Sequence, residues 1–130
     1  MKYGEITDQV ISAFLKVYNT LGYGFLEKVY ENALLIELRL SGLFCEKQFP
    51  IKVYYNGCQV GEYFADIIAE NCIIIEIKAS EAIAEEHEFQ LINYLKATDF
   101  EVGLLLNFGK KPEFKRKIFT NELKKIRPNP

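Results

Sequence analysis

Between Cys72 and Ala79 the chain reads Cys-Ile-Ile-Ile-Glu-Ile-Lys-Ala, a run apolar enough to belong at the centre of a sheet, covered on both faces. It nevertheless carries two ionisable groups. Side chains alternate along a strand, so Glu76 and Lys78 project from one face while Ile75 and Ile77 project from the other. Buried charges are costly unless they are paired or coordinate a cation. The preceding segment, Gln59–Ala69, sets Asp66 just as improbably among Phe64, Ala65, Ile67 and Ile68. A short polar turn near Glu70-Asn71 joins the two.

Register decides whether the two acids meet. A two-residue loop at 70–71 pairs residues whose numbers sum to 141, which sets Asp66 opposite Ile75 and on the wrong face. A three-residue loop, or one bulge, raises the sum to 142 and pairs Asp66 with Glu76. The second arrangement is expected. Two facing carboxylates repel and ask for a cation, and all-oxygen ligation of this kind suits Mg²⁺ or Mn²⁺. Lys78 supplies a positive group beside them, near whatever anion such a metal binds. The alternative is a buried Glu76–Lys78 or Asp66–Lys78 ion pair that merely sits in the sheet.

Around this hairpin the periodicities predict the remaining elements. Ile6, Val10, Phe14, Val17 and Leu21 mark one face of a first helix over Glu5–Leu21, ended by Gly22-Tyr23-Gly24. Leu26, Val29, Ala33, Ile36 and Leu40 mark the apolar face of a second, from Leu26 to Ser41, with Gly42 as the stop. Phe49, Ile51, Val53 and Tyr55 then alternate with Pro50, Lys52 and Tyr54 as a strand, and Asn56-Gly57 is a hairpin turn signal. After Gln59–Ala69 and Cys72–Ala79 come a third helix from Ser80 or Glu81 to Ala97, a buried strand over Val102–Asn107, and a short basic helix around Pro112–Lys124. Pro128 and Pro130 end the chain frayed. The order ααβββαβα is that of an α/β protein with a mixed central sheet flanked by helices.

Composition narrows the classes. A chain of 130 residues that is 49% hydrophobic and 26% charged is expected to form a single domain over 1–130 and to need no disulfide or structural metal. Cys45, Cys58 and Cys72 are odd in number with no CxxC spacing, and one histidine is too few for a zinc site. No apolar run approaches the roughly 18 residues of a membrane span, and the N-terminus lacks the pattern of a secretory signal, so a cytoplasmic protein is expected. There is no phosphate-binding loop, no GxGxxG and no GxSxG. Net charge is −2 but uneven: residues 110–127 hold eight basic residues against two acidic, a net of +6, while the remainder carries eight against sixteen, a net of −8. Such a segment is either a phosphate-contacting surface or a solvated helix face.

The constellation Asp66…Glu76-Ile77-Lys78 resembles the PD-(D/E)xK nuclease superfamily, and Gly24-Phe25-Leu26-Glu27-Lys28-Val29-Tyr30 resembles the GxxExxY signature of one of its prokaryotic branches. The resemblance runs on through Glu76–Ala79, His87–Ala97 and Glu101–Gly109. It implies a restriction-endonuclease-like core in which Asp66 and Glu76 bind a divalent metal, Mg²⁺ or Mn²⁺, with the Ile77 carbonyl as a further ligand. Glu27 would reach the metal through water, Lys78 would carry catalysis, and Gln90 would orient Lys78 or the nucleophile. Tyr30 and Tyr94 would be packing residues with a polar handle aimed toward the site. The chain departs from the pattern at Tyr18, where relatives often have histidine, and at Gly22-Tyr23-Gly24, where they often have Gly-Pro-Gly.

The expected activity is Mg²⁺-dependent hydrolysis of phosphodiester bonds, foremost in DNA, with Lys110, Lys111, Lys115, Arg116 and Lys117 on the nucleic-acid backbone. The competing expectation is a non-catalytic nucleic-acid- or protein-binding module that keeps the fold. A domain this small has little surface with which to enclose a duplex, so a homodimer or a larger partner is also expected.

Overall fold

The structure, a computed structural model, describes residues 1–126. Arg127, Pro128 and Pro130, which the sequence assigns to the basic segment and the chain end, lie outside the described residues. Two helices, α1 (Gly4–Leu21) and α2 (Glu27–Leu40), precede a long hairpin of β1 (Cys45–Tyr55) and β2 (Cys58–Ala69). Then follow β3 (Ile73–Lys78), α3 (Glu85–Lys96), β4 (Val102–Phe108), β5 (Pro112–Ile118) and a short 3₁₀ turn, Asn121–Leu123. The five strands lie in sequence order, all neighbours antiparallel except β3 and β4, which are parallel. Among the described residues no helix is long and apolar enough to cross a membrane.

Parallel neighbours require a crossover, and α3 supplies it. It packs on one face of the sheet through Leu91, Tyr94 and Leu95, against Ile68, Ile74 and Leu105. Gly103 permits this approach: a Cβ there would stand 2.6 Å from a Leu91 methyl. α1 and α2 cover the opposite face, with Phe14, Tyr30 and Leu34 over Ile73, Ile75, Ile77 and Phe108. Tyr30 stacks on Phe108 at 4.3 Å between ring centroids, and Phe14 meets the same ring edge-on at 4.8 Å. β3 is thus buried on both faces, as its composition requires. Asn56 and Gly57 both have positive φ, 51° and 77°, the turn conformation expected of that pair.

Two expectations are corrected. The segment around Pro112–Lys124 is a strand followed by a 3₁₀ turn rather than a helix. Its Lys, Arg and Glu residues favour helix locally, but β4 presents an open edge, and all seven residues Pro112–Ile118 pair with Phe108–Val102 across a short connection. The observed order is therefore ααβββαββ. The second correction concerns α2. The stripe Leu26, Val29, Ala33, Ile36 and Leu40 is not its buried face: Leu26 is 79%, Ile36 60% and Leu40 75% exposed. The residues that pack inward are Tyr30, Glu31, Leu34, Leu35 and Leu38. α2 carries apolar residues on two sides, and α1 and the sheet select the one that brings Tyr30 onto Phe108.

The β1–β2 hairpin also changes face partway along. Cys45, Ile67 and Ala69 belong to the core under α1 and α2, whereas Ile51 and Ala65 belong to the core under α3. Ala65 and Ile67, two residues apart, would share a face in a regular strand. The break falls at Asp66 and Gln48, where the pairing skips from Lys47–Ile67 to Phe49–Ala65 and Gln48 adopts φ 50°. A non-glycine residue in this left-handed region is uncommon and marks a locally forced backbone.

Candidate functional site

The β2–β3 ladder pairs Ala69 with Ile73, Ile68 with Ile74 and Ile67 with Ile75, a sum of 142 throughout. Glu70, Asn71 and Cys72 form the three-residue loop, with Glu70 and Asn71 both at φ 53°. Regular pairing then stops, one step short of Asp66 and Glu76. Side chains take over where the backbone parts. The Asp66 N–H donates to Glu76 Oε2 at 2.8 Å, and the Ile77 N–H donates to Asp66 Oδ2 at 2.8 Å. Each acid therefore caps a main-chain amide of the opposite strand, which holds both carboxylates in place at the mouth of the gap.

Burial dominates their electrostatics. Glu76 is 4% exposed, and desolvation, reinforced by the charge of Asp66, pushes its carboxyl up to about 8 against the opposing effects of the Asp66 amide and Lys78. Asp66, less buried, is raised to about 6, again chiefly by desolvation, with the Ile77 amide and Lys78 pulling the other way and the charges of Glu31 and Glu27 adding to the rise. The Tyr94 hydroxyl is lifted to about 12 by burial and then by the charges of Glu76 and Asp66.

Lys78 is half-buried on the same strand and donates to Gln90 Oε1 at 3.4 Å, so α3 brings Gln90 to Lys78. Beyond Lys78 the backbone is anchored by Asn107, fully buried on β4, whose Oδ1 accepts from the Ser80 N–H at 3.0 Å and whose Nδ2 donates to the Ser80 carbonyl at 3.0 Å. Gly109 is needed there too, because a Cβ would stand 2.4 Å from that carbonyl. His87 Nδ1 accepts from the Ala84 N–H at 3.1 Å, which places it as a cap on the first turn of α3.

Glu27 lies exposed at the start of α2 and bears on Asp66 only through its charge. The acid that α2 delivers into the interior is Glu31, one turn further on. It is 5% exposed, accepts from Gln48 Nε2 at 3.1 Å, pairs with Lys28 at 3.2 Å, and acts electrostatically on both Asp66 and Glu76. Sequence reasoning passed over Glu31 and Gln48. The available signal for Glu31 was the one that exposed Glu76, an acid within an apolar face, but it becomes legible only once that face is identified as Tyr30–Leu38.

Tyr30 uses its hydroxyl elsewhere than toward the acids. It donates to the Gly22 carbonyl at 2.5 Å and accepts from the Phe25 N–H at 3.1 Å, closing the α1–α2 loop. Tyr18 likewise donates to the carbonyls of Gly109 and Lys110, at 2.8 and 2.6 Å, and fixes the β4–β5 turn. The basic residues are dispersed. Lys110 and Lys111 lie exposed on that turn, Arg116 donates to the Lys2 carbonyl, and Lys117 pairs with Glu88 of α3 at 2.6 Å. Strand alternation sends Lys115 and Lys117 to one side of β5 and Arg116 to the other.

Among the described residues no three Asp, Glu, His or Cys side chains form a ready metal cage. The donor chemistry nevertheless suits a hard cation. Asp66 Oδ2 and Glu76 Oε2 are held by amides, while the second oxygen of each receives no hydrogen bond from a described residue. Mg²⁺ commonly takes one or two carboxylates and keeps several waters, so these two acids are a sufficient protein contribution.

Comparisons with curated proteins and with solved structures returned no match. A family model described as the PD-(D/E)XK nuclease superfamily matches residues 4–117, a span that takes in every element from α1 to β4 and nearly all of β5. With Asp66, Glu76, Lys78 and Gln90 all inside the matched span, the chain belongs to the PD-(D/E)XK nuclease superfamily.

Proposed function

We propose that the protein is a Mg²⁺- or Mn²⁺-dependent nuclease of the GxxExxY branch that hydrolyses phosphodiester bonds, with DNA as its principal substrate. The observation that carries the reading is the reciprocal capping of Asp66 and Glu76 beside Lys78, which holds a buried and a half-buried carboxylate together at a gap in the sheet. Keeping two such acids in place is costly without a cation to share. A divalent ion bound there would supply Lewis acidity and neutralise charge at the phosphate.

Asp66 and Glu76 would hold that ion through their second oxygens, with the Ile77 carbonyl as a further ligand and Glu27 reaching it through water. Glu31 adds negative potential behind them. Lys78, aimed by Gln90, sits beside the reacting phosphate, positions the attacking water and compensates the charge that gathers on the phosphoryl oxygens. Water loses a proton as it adds to phosphorus in line, the bond to the leaving deoxyribose oxygen breaks, and that oxygen takes up a proton. A domain this small has little surface with which to enclose a duplex, which favours a homodimer or a larger partner, and light scattering that finds only a 15 kDa species at working concentration counts against the dimer.

One observation favours a second reading, a binding module that keeps the fold: both carboxylates already serve a structural purpose by capping amides. Calorimetric titration of Mg²⁺ and Mn²⁺ into the wild type and Glu76→Ala, with cleavage of mixed DNA substrates by the same preparations, separates the two. Nuclease function requires metal uptake and cleavage in the wild type and the loss of both in a variant whose circular dichroism is unchanged. A folded wild type that takes up no metal and cuts nothing would overturn the nuclease reading, leave the three charges as a buried network and favour the binding module.

A further inference from the structure

Next to the acid cluster, α3 and the β1–β2 hairpin enclose a groove of about 380 Å³, within the size range of small-ligand sites. Glu86, Phe89, Gln90 and Asn93 lie at i, i+3, i+4 and i+7 on α3 and form one wall. Tyr63 of β2 faces them, its ring centroid 5.6 Å from that of Tyr94 at the groove floor. Tyr63 is 50% and Phe89 55% exposed, a large aromatic area to leave in water. The groove is continuous with the cluster through Gln90, which both lines it and accepts from Lys78.

The lining identifies the ligand. Among the described residues no Lys or Arg lines the groove, so it is not built for phosphate. Tyr63 and Phe89 offer π-faces, the amides of Gln90 and Asn93 each offer a donor and an acceptor, and the Glu86 carboxylate accepts from an exocyclic amino group. These are the complements of a nucleobase, its ring for stacking and its edge for hydrogen bonds. A base inside a duplex has both faces covered by its neighbours. Only an unpaired base can enter.

We propose that this groove is a stacking subsite for an unpaired nucleobase next to the scissile phosphate, and that the substrate strand reaches Lys78 single-stranded. The inference rests on the nuclease reading above and assigns its substrate class.

The test is fluorescence anisotropy of the full chain in EDTA with labelled single-stranded DNA, single-stranded RNA and blunt duplex DNA of mixed sequence, beside Mg²⁺-dependent cleavage of the same three. Single strands are expected to bind more tightly than duplex. Tyr63→Ala and Phe89→Ala are each expected to weaken single-strand binding by about 5- to 100-fold, while Tyr63→Phe, which keeps the ring, retains it. Both positions are half-exposed, so the truncations leave the core untouched. The DNA and RNA arms decide which sugar the strand carries. Duplex bound as tightly as single strands, or alanine variants that bind as the wild type does, would overturn the subsite even if duplex cleavage persisted and upheld hydrolysis. Ring-dependent single-strand binding with no cleavage of any substrate would uphold the subsite and remove the hydrolytic reading.

Discussion

Replacing Glu76 by Gln tests the electrostatic core of the site without touching its shape. The amide keeps an acceptor for the Asp66 N–H, now at 2.8 Å, and removes the charge. In the wild type the Glu76 carboxyl titrates near 8 in the folded protein, against an ordinary value of 4.5. The folded state therefore holds a proton that the unfolded chain has already lost, and stability present below about pH 4.5 is withdrawn as pH rises through about 8. Each unit of that displacement corresponds to about 1.4 kcal/mol, so the full span amounts to roughly 5 kcal/mol, with Asp66 adding in the same direction. Urea unfolding in EDTA at about pH 5 and about pH 8.5 should show the metal-free wild type losing on the order of 3 kcal/mol more than Glu76→Gln, the other titrating groups being common to both. At the higher pH, Mg²⁺ at a hundredfold excess over its Kd should return about 2.7 kcal/mol to the wild type and almost nothing to the variant. Equal pH slopes in the two proteins would refute the argument, because Glu76 would then not be a desolvated acid facing a second one.

Lys78→Met should lower cleavage by about 10²- to 10⁴-fold while leaving calorimetric Mg²⁺ uptake intact, whereas Asp66→Ala should abolish both. On α2, Leu34→Ala should cost about 2–5 kcal/mol in urea unfolding and Ile36→Lys no more than about 0.5 kcal/mol, the reverse of what the Leu26–Leu40 stripe would predict. Tyr30→Phe removes the hydroxyl that bridges Gly22 and Phe25 and should cost about 1–2 kcal/mol in the same assay, with Mg²⁺ uptake unchanged.

The candidate site was legible in the chain because its residues contradict their surroundings. Asp66, Glu76 and Lys78 stand in segments whose other side chains demand burial, and the requirement that the two acids share a face already selects the sum of 142 and the three-residue loop. Asn56-Gly57 announced its turn, and the composition of Ile73–Lys78 announced the central strand. These signals are local: each depends on a few consecutive residues and the period of the backbone.

What tertiary structure decided lies where a local signal has two solutions. α2 offers two apolar stripes, and only packing on Phe108 chooses the one containing Tyr30 and Glu31, which is why Glu31 rather than Glu27 enters the interior. Residues 112–118 include helix-forming Lys, Arg and Glu, but pairing along the edge of β4 draws all seven into a strand. The switch of face at Gln48 and Asp66 arises because one hairpin serves two cores on opposite sides of the sheet. Period and charge alone named the acids; the competition of distant surfaces for the same backbone determined what surrounds them.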